Sequence, residues 1–264
     1  SIAVEAPTNT GSDLPGKVNQ EDHQATINGR DITFISIGKA GNAYGFYNSP
    51  RTYLWADPWV NSVVFTHRML GGTELEGNSR VAYDLSTDGG NTWTNDIQIY
   101  TPTGPDPGTG YPQDAGRYPQ GAIINDVTNT DPANAFYSYW ICALDNSNGD
   151  AWGGHAYGSN VLTEIDPPDP SQVNLTSQGD VLRYVPDSYH ATQQAEAWYA
   201  EPTSDLSGGT PAYTGNLLVG HGMMNDDNEI EFEEDLFPFL AAGDGINDNK
   251  IAFGDDGQVG YILV

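Results

Sequence analysis

The stretch Ser86-Thr87-Asp88-Gly89-Gly90-Asn91-Thr92-Trp93 fits the pattern S-x-D-x-G-x-x-W at every defined position. Elementary chemistry makes it a hairpin turn. The Asp88 carboxylate can accept hydrogen bonds from backbone N–H groups, and the paired glycines supply the positive φ that side chains resist. Trp93 then starts the next strand with its ring folded back under the turn, and Ser86 hydrogen-bonds locally. Such a turn needs a strand on either side. Residues 80–85 (RVAYDL) and 93–100 (WTNDIQIY) supply them, with the β-branched and aromatic residues that strands favour. Ser86, Asp88, Gly90 and Trp93 therefore read as structural, and no residue is assigned a catalytic role.

Working outward, residues 52–56 (TYLWA) and 62–67 (SVVFTH) flank Asp57-Pro58, a turn signal. Four strands thus follow one another in meander order within about 50 residues. A second set of four is predicted at 122–125, 136–144, 156–165 and 181–185, and a third at 195–200, 217–221, 229–233 and 251–253. The pair 32–37 with 43–47 resembles the pair 250–253 with 259–263 (FISIGKAGNAYGF beside IAFGDDGQVGYIL). Residues 1–29 hold no sustained period and read as an extended lead-in. Repeated four-strand units of about 40–65 residues predict propeller blades; the competing architecture is a β-sandwich with turns every 8–12 residues or so. The expected fold is all-β, a β-propeller of four-stranded antiparallel blades over residues 30–264. Three sets and two hairpins fall short of closure, which takes roughly four or more blades, so the ring is expected to be incomplete in this chain.

Composition agrees with strands and loops. There are 25 Asp against 11 Glu, with 31 Gly and 17 Pro, and turn residues outnumber helix formers. The 264-residue chain carries 9 basic and 36 acidic side chains, a net charge of −27. Between Arg117 and Lys250 the only base is Arg183, against 21 acids. Nucleic-acid binding needs a Lys/Arg footprint and is excluded; insertion into a membrane is not expected, because no apolar run approaches about 18 residues. Residues 1–10 lack the basic and apolar regions of a signal peptide. The single cysteine, Cys142, sits in the strand run 139–144 (YWICAL) and reads as a packed thiol.

With these stretches in view, the chain resembles the Asp-box, sialidase-like β-propellers found near the N-terminus of large bacterial proteins exported by the type IX secretion system. The resemblance rests on the Ser86–Trp93 motif and on "ITFISIGKAGNAYGFY", "RTYLWADPWVNSVVFTHRM", "VAYDLSTDGGNTWTNDIQIY", "GRYPQGAIIN" and "KIAFGDDGQVGYI", and it spans residues 32–262. It implies an extracellular or outer-membrane-surface location on a Gram-negative bacterium. It also implies a role in binding, adhesion or scaffolding. The remainder of a longer chain, ending in a sorting domain, or a surface assembly protein is expected to complete the ring. Sialidase activity, by the same resemblance, would need three arginines converging on a carboxylate, a Tyr nucleophile with a Glu partner, and an acid/base Asp. The chain has six arginines and no Arg-Ile-Pro segment, and its negative surface would repel an anionic sugar.

The alternative function is an extracellular glycoside hydrolase acting on polysaccharide through paired carboxylates; a further one is a component or bound substrate of a surface or secretion assembly. Sugar-stacking candidates lie near turns and Gly-rich loops: Trp152, Trp59 and Tyr111 foremost, with Trp55, Tyr118 and Tyr157 beside them. His67 and His221 lie in strand runs and read as hydrogen-bonded structural groups. Calcium is the candidate cofactor, with Asp244, Asn247 and Asp248 in an oxygen-rich loop around Gly245 as ligands. The acidic run 225–235, with seven acids in 11 residues, is the weaker site and reads as a solvated face.

Overall fold

The computed structural model describes residues 23–27, 29–35, 51–69, 79–106, 112–144, 152–166, 168–175, 182–184, 188–205, 212–239, 249–254 and 257–263, with single positions at 37, 40, 108 and 241. Strand dominates, and no α-helix occurs among the described residues. The chain divides into two compact units, Ser1–Gly38 and Lys39–Val264.

In the first unit β1 (His23–Ile27) pairs antiparallel with β2 (Arg30–Phe34), and Thr26 donates to Asp31 at 2.9 Å. The expected partner of this region was 43–47, which lies outside the described residues. The pairing runs backwards into the lead-in because Asn28-Gly29 is a two-residue hairpin signal, and Gly29 takes φ +75°.

The second unit begins with β3 (Leu54–Asp57), β4 (Ser62–Arg68), β5 (Val81–Ser86) and β6 (Thr94–Tyr100), which form one antiparallel sheet in chain order. The next sheet takes β7 (Gly116–Ile124), β8 (Phe136–Leu144), β9 (Trp152–Val161) and β10 (Val173–Leu175), again in chain order. A third contains β11 (Leu182–Tyr184), β12 (Ser188–Ala191), β13 (Glu196–Asp205), β14 (Ala212–Met224) and β15 (Ile230–Pro238). Here β11 and β12 share one edge of β13, so five strands fill four positions. Last, β16 (Lys250–Phe253) pairs with β17 (Gly260–Leu263).

Two strand assignments move. Residues 181–185 were expected to complete the second sheet, but 182–184 open the third, and β10 takes the vacant place beside β9. The three-residue β10 follows a Pro-rich stretch and has little periodicity of its own. It is held by Ser171, whose N–H donates to the Ser159 carbonyl at 2.7 Å and whose hydroxyl accepts from the Ser159 N–H at 2.9 Å. Likewise 251–253 pairs with β17 instead of joining the third sheet.

The sheets pack serially, and each contact has its own core. Val64, Tyr83, Leu85, Ile97 and Ile99 of the first sheet meet Tyr137, Tyr139 and Ile141 of β8. On the other face of the second sheet, Ala122, Ile124 and Trp140 meet Tyr189, Ala197, Tyr199 and Leu218 of the third. Beyond it, Leu217 and Val219 meet Ile251, with Trp198 and Phe253 alongside. Strand alternation explains β8: Tyr137, Tyr139 and Ile141 face one neighbour, Ser138 and Trp140 the other. Buried tyrosines find partners for their hydroxyls. Tyr137 meets Thr66 Oγ1 at 2.7 Å, Tyr139 donates to the Ser171 carbonyl at 2.8 Å, and Tyr83 donates to that of Leu162 at 3.2 Å. The sheets do not close on themselves.

Candidate functional site

The β5–β6 turn is built around one carboxylate. Asp88 Oδ1 accepts from the N–H groups of Asn91 (3.0 Å) and Thr92 (2.9 Å) and from the Ser86 hydroxyl (2.8 Å), while Oδ2 accepts from the Thr92 hydroxyl (2.7 Å). The Gly90 N–H donates to Ser86 Oγ at 2.8 Å, and the Trp93 indole N–H returns to the Gly90 carbonyl at 3.1 Å. Gly89 and Gly90 take φ +73° and +93°. The Thr92 hydroxyl and N–H, then Ser86, hold the Asp88 carboxyl down to about 2. Both carboxylate oxygens of Asp88 bond within its own turn.

A carboxyl depressed in the folded state stabilises above its unfolded pKa, near 3.8, and the effect disappears as pH falls through about 2. Asp88→Ala is expected to lower the thermal midpoint by several degrees at pH 7 and by progressively less in acid. Circular-dichroism melts of both chains between pH 7 and 2 check this; a constant gap would assign the loss to something other than the carboxylate charge.

A cleft lies where β3, β12 and β16 approach one another. It is about 430 Å3, lined by Arg51, Tyr53, Trp55, Phe65, His190 and Lys250, with Thr52 and Leu54. Thr52 ties its wall together: its hydroxyl donates to the Tyr189 carbonyl at 2.6 Å and accepts from Lys250 Nζ at 3.3 Å, and its N–H donates to Gln120 at 2.9 Å. Trp55 meets His190 edge-on with centroids 5.0 Å apart, and His190 stacks on Phe253 at 5.4 Å. Burial, followed by the Lys250 charge, pushes His190 down to about 4, so it is neutral at pH 7. Among the described residues lining this cleft there is no carboxylate.

Nearby, Arg51 lies over the Tyr118 ring at 4.4 Å. Tyr118 has φ +49° at an irregularity of the β7–β8 ladder between Arg117 and Gln120. Burial and then the neighbouring Arg117 bring Arg68 down to about 10. Three of the six arginines are thus brought to the same region, which their spacing in the chain does not reveal.

Carboxylates gather elsewhere, between the second and third sheets. Glu201, fully buried on β13, accepts from the Trp140 indole N–H at 3.2 Å and lies 3.8 Å from His155 Nδ1. Glu234 on β15 accepts from the Tyr199 hydroxyl at 2.5 Å and lies 3.6 Å from His155 Nε2. Burial drives Glu234 up, but His155 and the Tyr199 hydroxyl outweigh it and hold the carboxyl below its ordinary range. Trp140 covers this network, stacked on His155 at 4.1 Å and on Tyr199 at 3.8 Å. No saccharide could reach Glu201 without removing that indole.

Of the expected stacking residues, Trp59 does not line the cleft. Trp59 is half-buried in the β3–β4 turn, its N–H bonded to Asp57 at 2.9 Å. Trp152 begins β9, and Tyr111 lies outside the described residues. Tyr157 is packing, parallel to Trp140 at 5.3 Å. Of the wider set only Trp55 lines the cleft. The calcium candidates Asp244, Asn247 and Asp248 also lie outside the described residues. In the run 225–235, Asn225 is the turn-former: its Oδ1 accepts from the N–H groups of Asp227 (2.9 Å) and Glu229 (3.0 Å), and Asn228 takes φ +63°. His221 sits 3.3 Å from Glu196 and stacks on Trp198 at 4.1 Å, as a packed strand histidine does. Comparison of the chain with models of known protein families and with curated proteins returns no match.

Proposed function

We propose that the second unit is a run of β-propeller blades acting as a ligand-binding or scaffolding module of a larger surface protein. One observation carries this. The sheets are consecutive four-position meanders followed by a hairpin, and contacts run in succession along one side: β7 meets β3 and β4, β12 meets β7, and β16 meets β12. Inner strands side by side with outer strands splayed is the arrangement of blades around an axis, whereas the two sheets of a sandwich have no such succession. The Ser86–Trp93 turn, at the β5–β6 hairpin, is consistent with the Asp-box resemblance. That resemblance supplies the setting: the extracellular or outer-membrane surface of a Gram-negative bacterium, export by the type IX system, and a ring completed by further chain or an assembly partner.

The cleft between the inner strands is the proposed binding site, and carbohydrate is the ligand class. It presents an aromatic face at Trp55 and Tyr53 beside the donors of Arg51 and Lys250, which suits a sugar ring carrying hydroxyl groups. The absence of a carboxylate among its described lining residues favours binding over hydrolysis, which needs two acids about 5–10 Å apart. A glycan array probed with the labelled chain and with Trp55→Ala tests the reading. Binding to a restricted set of polysaccharides, weakened by Trp55→Ala by about 1–3 kcal/mol, that is roughly ten- to a hundredfold, is expected. Release of reducing ends from any bound polysaccharide would replace the reading with hydrolysis.

A further inference from the structure

On the face of the first sheet that turns away from the second, three strands bring together an imidazole and two carboxylates. His67 on β4 shares this face with Phe65, which stacks on it at 5.7 Å. Phe65 is paired in register with Asp84 on β5, so Asp84 shares the face too. The register that pairs Ala82 with Gln98 and Tyr83 with Ile97 continues to Asp96 opposite Asp84, so Asp96 shares the face as well. The ladder is irregular between Tyr83 and Leu85, Asp96 takes φ +57°, and its N–H donates to Asp84 Oδ1 at 2.9 Å.

His67 Nε2 lies 3.1 Å from Asp84 Oδ1 and 3.9 Å from Asp96 Oδ1, and one ligand atom from each of the three falls within 4.8 Å of the others. The second ring nitrogen fixes the chemistry. Nδ1 is 3.0 Å from the Arg68 carbonyl, which can only accept, so Nδ1 carries the hydrogen. Nε2 is then left facing two carboxylates and has to present a cation to them, either a second proton or a metal. His67 and Asp84 are each only 1% exposed, and Asp84 Oδ2 is buried with no hydrogen-bond partner. With a proton, the cluster carries one net negative charge in the interior and leaves that oxygen unpaired. With a divalent ion and neutral imidazole the charge is zero, and the oxygen has a ligand to bind.

We propose that His67, Asp84 and Asp96 form a site for one divalent transition-metal ion of the zinc class. Bonds of about 2.0–2.2 Å in tetrahedral directions separate ligand atoms by roughly 3.3–3.6 Å, and the observed 3.1 and 3.9 Å bracket that range. The imidazole selects zinc over calcium, which takes six to eight oxygens. The Nδ1–H bond to the Arg68 carbonyl is the outer partner that orients a metal-bound histidine. Asp96 is half-exposed, so the fourth position opens on its side, and water completes the tetrahedron. Phe65, which stacks on His67, also lines the cleft, but the metal site does not depend on the binding reading.

The test uses the whole chain, stripped with EDTA and titrated with Zn2+ by calorimetry and with Co2+ by visible absorption. Wild type is expected to bind one equivalent, show the ligand-field bands of four-coordinate Co2+, and melt several degrees higher with Zn2+. Asp96→Asn changes a half-exposed group and is expected to fold, melting close to wild type in EDTA while losing affinity by roughly tenfold or more, at least the cost of removing an outer partner. His67→Gln is expected to remove binding and the Co2+ bands. Equal concentrations of Ca2+ are expected not to displace Zn2+. Unchanged stoichiometry and affinity in Asp96→Asn, or no saturable Zn2+ binding by the wild-type chain, would overturn the proposal.

Discussion

Trp140→Ala is expected to destabilise the chain by about 3–5 kcal/mol, the cost of emptying a fully buried aromatic site, and to leave little folded protein at 37 °C. The side chain is completely buried in β8 and is stacked or edge-on to His155, Tyr157, Tyr199 and Phe232, with centroids between 3.8 and 5.3 Å. Rings held on several sides cannot collapse into the space an indole leaves, so the cavity persists. The substitution also removes the N–H that donates to buried Glu201, and weakening the partners of a buried carboxylate adds to the loss. Against a total stability of about 5–15 kcal/mol, this is a large fraction. Urea unfolding followed by Tyr and Trp fluorescence measures it; a loss under about 1 kcal/mol would mean that the second and third sheets do not depend on this contact. Trp140→Phe keeps much of the stacking but not the N–H, and is expected to fall between the two.

Gly158→Ala is expected to be nearly as severe although it adds one methyl group. Gly158 pairs in register with Tyr139. A Cβ there would overlap the Ser171 carbonyl and come within 2.7 Å of the Tyr139 hydroxyl. The carbonyl is backbone and cannot rotate away. It accepts from that same hydroxyl, and the Ser171 N–H is bound to Ser159. Accommodation therefore pulls the segment leading to β10 off β9. Overpacking of this kind costs about 1–3 kcal/mol, occasionally more, and backbone opposition puts this case at the upper end. Hydrogen exchange at Ser171 and along β10 reads it directly. Protection equal to wild type would show that the segment moves aside at no cost.

The legible parts of this fold are those whose signal is local. The Ser86–Trp93 turn carries its own hydrogen-bond partners, and the strands on either side fall within a residue of their reading. β8 coincides with the run 136–144 because eight of its nine residues are apolar or aromatic. Where pairing is decided at a distance, the sequence is silent. β10 is three residues long and stands where it does because Ser171 clamps β9, and nothing within Val173-Asn174-Leu175 announces that. Asn28-Gly29, by contrast, is a local signal strong enough to have placed β1. The cleft joins Arg51 and Trp55 to His190 and Lys250, about 140 and 200 residues further along, by the packing of successive sheets, a contact no spacing encodes. The His67 cluster is hidden for a subtler reason. Asp84 and Asp96 meet only through the β5–β6 pairing, 12 residues apart, and the only local hint is an aspartate in the middle of the run VAYDL.

Both faces of the second sheet are covered at β7 and β8: each is the floor of a separate core. A body assembled this way grows by repetition. Each added meander covers the last one and exposes a fresh face of the same kind, and the energetic bond is to nearest neighbours only. Duplication or loss of a terminal sheet therefore disturbs one seam and leaves the others intact. In such a design the number of sheets is a trait that selection can adjust in whole steps, while the side chains of each seam are free to diverge independently, as the tyrosine-rich seam of the first two sheets and the Trp140-centred seam of the next have done.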